Sequence, residues 1–226
     1  GAGQSLHDKL IEKSHQHAIG VSAELKFAAR EAVELLGNEW VHYQRTTAKT
    51  GLYGDKAARE LTDDCLVYLF RLLFLFYAEA RAGELRGLPM NAEEYARGYS
   101  LEVLRELEQV PLTTPEARDG FFFHESLQKL FELVNEGWEP FQRRLGLGLD
   151  QADEGLLTRG FTLKGLHSTL FSRASTPRLS RVKLRNETLQ QVIRLLSLSP
   201  EGRRKGAGKA WGRGRISYAQ LGIGEL

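Results

Sequence analysis

Asp64-Cys65-Leu66-Val67-Tyr68-Leu69-Phe70-Arg71-Leu72-Leu73-Phe74-Leu75-Phe76-Tyr77-Ala78-Glu79-Ala80-Arg81 is the stretch on which the fold turns. Between Cys65 and Ala78 the only charge is Arg71, and the apolar positions Leu66, Val67, Leu69, Phe70, Leu72, Leu73, Leu75 and Phe76 cover every side of a helix. Such a helix has to be surrounded by others. Asp55 or Thr62 can cap it, and Gly83 with Gly87-Leu88-Pro89 supplies stop signals, so the spacing predicts one long helix running to about Arg86. A bilayer-spanning helix needs about 20 apolar residues, more than this run provides. Burying Arg71 without a partner would cost several kcal/mol, so it is expected either to find a carboxylate from another segment or to reach out to solvent.

Helical spacing continues on both sides. Leu25, Ala28, Ala29, Ala32, Val33, Leu36 and Trp40 share one face of a helix expected to begin near Ser22, with Gly37-Asn38 able to break it or be tolerated within it. Leu6, Leu10 and Ile11 suggest a shorter helix set apart by Gly20. Asn91 with Glu94 three residues on, and Ser100 ahead of Leu101, Leu104 and Leu107, mark two further starts. Thr113-Thr114-Pro115-Glu116 joins hydroxyl caps, a first-turn proline and an early acid, and Leu127, Leu130, Phe131 and Val134 form a stripe that closes at Gly137. Five glycines between Gly146 and Phe171 predict loops with short helical or extended pieces. A last helix carries Leu189, Val192, Ile193 and Leu196, with Asn186 as cap and Ser199-Pro200 as stop. No run of strands alternates convincingly, so the expected fold is all-α, an irregular helical bundle around a central buried helix at about 60–86.

The chain has 226 residues, 27% of them charged and 42% hydrophobic, which excludes disorder as its main state and collagen-like repetition. A single cysteine, Cys65, can form neither an internal disulfide nor a cysteine zinc cluster and reads as a small buried hydrophobe. An intracellular, cytoplasmic setting is expected. The formal charge of +2 hides a strong division. From Arg173 to Arg215 there are twelve basic and two acidic residues, a net of +10, while the rest holds 19 basic and 27 acidic residues, a net of −8. Two domains follow: a helical body over 1–199 and a flexible, basic, glycine-rich linker over 200–226.

Few groupings suggest chemistry. His15 and His17 point about 200° apart on a helix and cannot share a metal. His124-Glu125 beside Phe121-Phe122-Phe123 has acid/base character but no nucleophile with it, which favours packing. Glu24-Leu25-Lys26 matches part of a metal-nuclease signature, but sits in a helical pattern without the strand and partner carboxylate that chemistry needs. Gly146-Leu147-Gly148, Gly206-Ala207-Gly208 and Gly212-Arg213-Gly214 do not make a phosphate-cradling loop. The basic stretch is different. Arg178, Arg181, Lys183 and Arg185 precede the last helix, while Arg203, Arg204, Lys205, Lys209, Arg213 and Arg215 follow it, with Trp211 available for stacking. These ten basic residues are the candidate DNA-binding set. The competing reading is a solvated linker or one docked onto the acidic body.

Three blocks carry a family resemblance. The first is the opening stretch with Gly87-Leu88-Pro89 and Tyr99-Ser100-Leu101; the second is Leu179-Ser180-Arg181-Val182-Lys183-Leu184-Arg185-Asn186-Glu187 with its helix; the third is Ile216-Ser217-Tyr218-Ala219-Gln220-Leu221-Gly222-Ile223. Together they resemble the helical region ahead of the methyltransferase core in large DNA adenine N6-methyltransferases. That family includes type IIG restriction–modification enzymes and the methylases of BREX- and DISARM-type phage-defence systems.

The resemblance implies a non-catalytic piece of a larger bacterial protein. It implies duplex DNA, a downstream methyltransferase domain of the same chain and a defence-system protein as partners, with no membrane. S-adenosylmethionine, and Mg where a nuclease is present, would serve the parent protein, and no cofactor is expected in this piece. The family's cofactor loop and Asn-Pro-Pro-Tyr or Phe motif do not occur in the 226 residues, and the first residues, Gly1-Ala2-Gly3-Gln4, lack Met, which fits a piece of something longer. A protein-interaction scaffold that never touches DNA is the alternative.

Overall fold

The computed structural model describes residues 6–49, 54–82, 90, 93–138, 163–199 and 214–220. Its helices are α1 (Leu6–Tyr43), α2 (Asp55–Ala80), α3 (Glu93–Gly98), α4 (Leu101–Glu106), α5 (Pro115–Asp119), α6 (Phe122–Glu136) and α7 (Asn186–Ser197). The fold is all-α. Extended pairing among the described residues is limited to a two-residue antiparallel ladder, β1 (Gly137–Trp138) with β2 (Leu163–Lys164), and one bridge between Leu198 and Arg215. No helix of the described residues is long and apolar enough to cross a membrane.

α1 differs from the two helices expected there. It runs unbroken for 38 residues through Gly20 and Gly37-Asn38. A glycine inside a helix costs about 1 kcal/mol, which slows propagation without supplying a stop. The helix ends instead in a π-helical turn, Gln44–Ala48, closed by Lys49 in the left-handed region at φ 53°. Leu25, Ala28, Ala32, Leu36 and Trp40 are buried as the stripe predicts, where α1 packs along α2 and α7.

α2 stops at Ala80 rather than near Arg86. Arg81 leaves helical geometry at φ −119°, with its guanidinium over the Tyr77 ring and one nitrogen donating to the Ala219 carbonyl. α2 is also not enclosed on every side. Leu61, Cys65, Tyr68, Leu69, Leu72, Leu75 and Phe76 are buried, but Leu66 is 38% and Phe70 47% exposed. Burial pushes the Cys65 thiol up to about 12, with Asp64 adding to the effect, so it behaves as the small hydrophobe expected. Edge-to-face contact of Tyr68 with Phe131 at 5.4 Å joins α2 to α6, and Phe76 stacks on Tyr218 at 4.9 Å.

Helix caps show how far sequence rules reach. Thr114 caps α5 as predicted, its hydroxyl accepting from the Ala117 amide at 3.2 Å. Ser100 does not cap α4, because its hydroxyl donates back to the Ala96 carbonyl at 2.7 Å. Glu79 of α2 takes that role from a distance, accepting from the Leu101 amide at 2.8 Å, the Glu102 amide at 3.2 Å and the Tyr95 hydroxyl at 2.7 Å. Asn186 likewise serves another helix. Its side chain accepts from the Phe123 amide at 3.0 Å, at the start of α6, and donates to the Ala117 carbonyl at 2.9 Å. α6 ends at Gly137, whose φ of +79° and close approach to Leu163 and Gly165, 2.4 Å from where a Cβ would stand, leave room for glycine alone.

Candidate nucleic-acid interface

Residues 163–185 lead from β2 into α7 through three 3-10 turns, Thr169–Phe171, Arg173–Ser175 and Leu179–Arg181. Local hydrogen bonds alone do not hold such a path, and two buried charges on α2, seven residues apart and therefore on one face, fasten it. Asp64 accepts from the Arg178 amide at 2.6 Å and the Leu179 amide at 3.0 Å. Arg71 does not find a carboxylate, which corrects the expected ion pair. Its Nε donates to the Leu170 carbonyl and its Nη2 to the Ser172 carbonyl, both at 2.7 Å, with the guanidinium 5.3 Å from the Phe131 ring centre. The 3-10 turns leave these carbonyls facing α2, and a planar cation with several donors serves two of them at once.

The basic side chains on this path mostly return to the acidic body. Arg173 pairs with Glu132 at 2.9 Å, Arg178 pairs with Glu60, and Lys183 pairs with Glu125 at 2.9 Å while lying over the Phe121 ring. Arg185 forms the densest contact: Nε and Nη2 each reach Glu39 at 2.8 Å, Nη1 reaches Asp119 at 3.0 Å, and its amide also donates to Glu39. The Thr188 hydroxyl completes the Glu39 cluster at 2.8 Å. Burial alone would raise the Glu39 carboxyl, but the Arg185 and Thr188 bonds outweigh it and hold the group below the usual carboxylate range. The Arg185 guanidinium is correspondingly raised, first by its bond to Glu39. Arg181 is exposed and, among the described residues, has no carboxylate partner.

Arg215 continues the pattern. It reaches Glu102 at 2.7 Å and lies 3.7 Å from buried Glu108, whose carboxyl burial pushes up against the pull of Arg215 and Arg105. Arg105 donates to the Ser197 and Ile216 carbonyls at 3.1 and 2.9 Å, and the Tyr218 hydroxyl donates to the Leu196 carbonyl at 2.8 Å. Residues 214–220, which the sequence groups with the linker, therefore pack on the body, because Ile216 and Tyr218 are apolar enough to join its core. Arg203, Arg204, Lys205, Lys209, Trp211 and Arg213 lie outside the described residues.

The other candidates are structural. Glu24-Leu25-Lys26 lies within α1. His124 is buried and its Nδ1 accepts from the Leu184 amide at 3.4 Å, whereas Glu125 turns outward to Lys183, so the two do not act as a pair. Burial, helped by the Lys183 cation, pushes the His124 imidazole down to about 4 from 6.5. An unfolded chain then takes up this proton before the folded one does. The His124 contribution is complete above pH 6.5 and is lost as pH falls towards 4, an effect of about 3 kcal/mol. Glu79 acts with the opposite sign, because burial lifts it to about 7 and costs stability as pH rises from 4.5. Denaturant unfolding of the natural chain and of His124→Gln from pH 4 to 8 separates them: the gap between the two curves is expected to narrow below pH 6.5.

Sequence reasoning missed the groove between α1 and α2. Leu25, Ala29, Val33, Leu66, Leu69 and Phe70 line most of a cleft of about 520 Å³, with Lys26, Arg30 and Glu34 along its α1 edge. The signal lies in the apolar residues on every side of α2, a pattern that fits an open groove as well as the enclosure expected from it. No cluster of metal-ligating side chains occurs among the described residues. Comparison with family models, with curated proteins and with solved structures gave no match.

Proposed function

We propose that this chain is a non-catalytic helical connector, which positions other domains of a DNA adenine methyltransferase of the restriction–modification or phage-defence type on duplex DNA. One observation carries the reading: the charges of the body cross-link distant segments. Asp64, Arg71, Glu39 and Arg185 are each bonded to chain 99 to 149 residues away. A connector needs that rigidity so that the domains attached to it keep a fixed relation. The three sequence blocks supply the methyltransferase context, and S-adenosylmethionine belongs in that context to the domain downstream.

Phosphate contact falls in this reading to Arg181 and to the run Arg203, Arg204, Lys205, Lys209 and Arg213. Arg178, Lys183, Arg185 and Arg215 have carboxylates of their own and would bind phosphate only by exchanging them. Fluorescence anisotropy with a duplex oligonucleotide at graded salt tests the difference. The affinity of the full chain is expected to fall steeply with salt. Replacing Arg181, Arg203, Arg204 and Lys205 together with Ala should reduce the logarithmic salt slope by about 0.9 for each phosphate no longer neutralised. Absence of binding at low salt, or an unchanged slope, would refute the DNA contact. Methylation or cleavage of DNA by the purified chain would refute the connector.

The alternative, a scaffold that docks a protein partner without touching DNA, is favoured by the apolar groove between α1 and α2.

A further inference from the structure

The α1–α2 groove joins two features that rarely occur together on a solvated surface. It is a cleft of about 520 Å³ walled by aliphatic and aromatic side chains, and its neighbourhood projects large apolar groups: Phe27 is 76% and Phe70 47% exposed. Contiguous apolar surface of this kind marks an interface. The charges beside it are ordered along α1. Lys26 and Arg30 come first, Glu31 and Glu34 follow, and all four are exposed. Arg30 and Glu34 meet within the helix at 3.3 Å, yet their side chains are 81% and 63% exposed and free to take other partners.

An edge that is basic at one end and acidic at the other complements its own reversed copy. We propose that the groove takes a second copy of this chain, with the two α1 helices antiparallel about a two-fold axis near Ala32. Lys26 and Arg30 of each copy then face Glu31 and Glu34 of the other, and Phe70 and Leu66 of both copies close over the shared apolar strip. A two-fold interface must be self-complementary, and this edge satisfies that requirement with both its charges and its shape. A partner of a different sequence would need neither the reversal of sign nor its symmetry about one point. The pairing stands apart from DNA contact, since Arg181 lies on the chain after β2 and the groove is built from α1 and α2.

Sedimentation of the full chain over a concentration series tests this with two charge-reversed forms. One carries Lys26→Glu and Arg30→Glu, leaving the edge wholly acidic; the other carries Glu31→Lys and Glu34→Lys, leaving it wholly basic. The natural chain is expected to dimerise. Each reversed form should self-associate at least about tenfold more weakly, because like charges now face each other, and an equal mixture of the two should recover a mixed dimer. Phe70→Asp should also weaken the dimer by about tenfold or more. A natural chain that stays monomeric at its highest soluble concentration would overturn the proposal. So would reversed forms that dimerise as the natural chain does, or a mixture that shows no recovery. The reversed positions are exposed, so circular dichroism should show the natural helix content in both forms.

Discussion

Arg185→Ala is expected to lower the unfolding free energy by about 3 kcal/mol and Tm by about 10 °C. The loss of Arg185 leaves Glu39 buried against α7 with only the Thr188 hydroxyl and one backbone amide. Removing one member of a buried ion pair costs about 3–5 kcal/mol, because the remaining charge is uncompensated. Arg185 is itself partly exposed, with a side chain at 24%, which places the effect at the lower end of that range. The cycle formed by Glu39→Gln, Arg185→Ala and the double variant isolates the pair, and its coupling should exceed about 1 kcal/mol. A coupling near zero would mean that α1 and α7 are held by their apolar contact alone. The low position of the Glu39 carboxyl adds a pH signature. Its stabilisation is present above the usual carboxylate range and is lost as pH falls through and below it, a component that Arg185→Ala removes.

Arg71→Leu should be nearly as damaging, with a different distribution. The substitution leaves the Leu170 and Ser172 carbonyls without their donors while avoiding a buried charge. Two hydrogen bonds from a charged donor are together worth about 3 kcal/mol, of which the leucine side chain regains part through packing on Phe131, so a net loss of about 2 kcal/mol is expected. Hydrogen exchange gives the more specific readout. The amides of residues 169–182 should exchange faster, with those of α1 and α7 little changed, because Arg71 fastens that path and no other. Arg71→Lys keeps the charge, but one ammonium cannot reproduce the fork that reaches both carbonyls, so it should recover little. Uniform acceleration across the whole chain would show that Arg71 supports the core as a unit.

Much of the helical architecture was legible because helices obey local rules. The stripe of Leu127, Leu130, Phe131 and Val134 and that of Leu189, Val192, Ile193 and Leu196 are buried as their spacing predicts, and Thr114-Pro115 starts α5 with the expected cap. The break expected at Gly20 and the extension of α2 to Arg86 fail for a matching reason. A glycine weakens a helix by a modest amount that tertiary contact can override, and residue type alone does not say where the chain must turn.

The candidate site was legible only as a set of charges. Sequence separates a basic segment from an acidic body, and it leaves open whether Arg178, Lys183, Arg185 and Arg215 face a ligand or that body. The fold answers for these four, each of which meets a carboxylate brought from elsewhere in the chain. Ser100 and Asn186 carry the residue types of helix caps, yet Glu79 caps α4 and Asn186 serves α6.

The sequence by itself determined the all-α class, most helix positions and the division of charge, because these depend on residues three or four apart and on composition. Tertiary structure alone decided which carboxylate meets which cation, that Arg71 holds backbone carbonyls, and that Leu66 and Phe70 open onto a groove. Those outcomes join residues as distant as Glu39 and Arg185, 146 positions apart, and no local periodicity encodes a meeting at that separation.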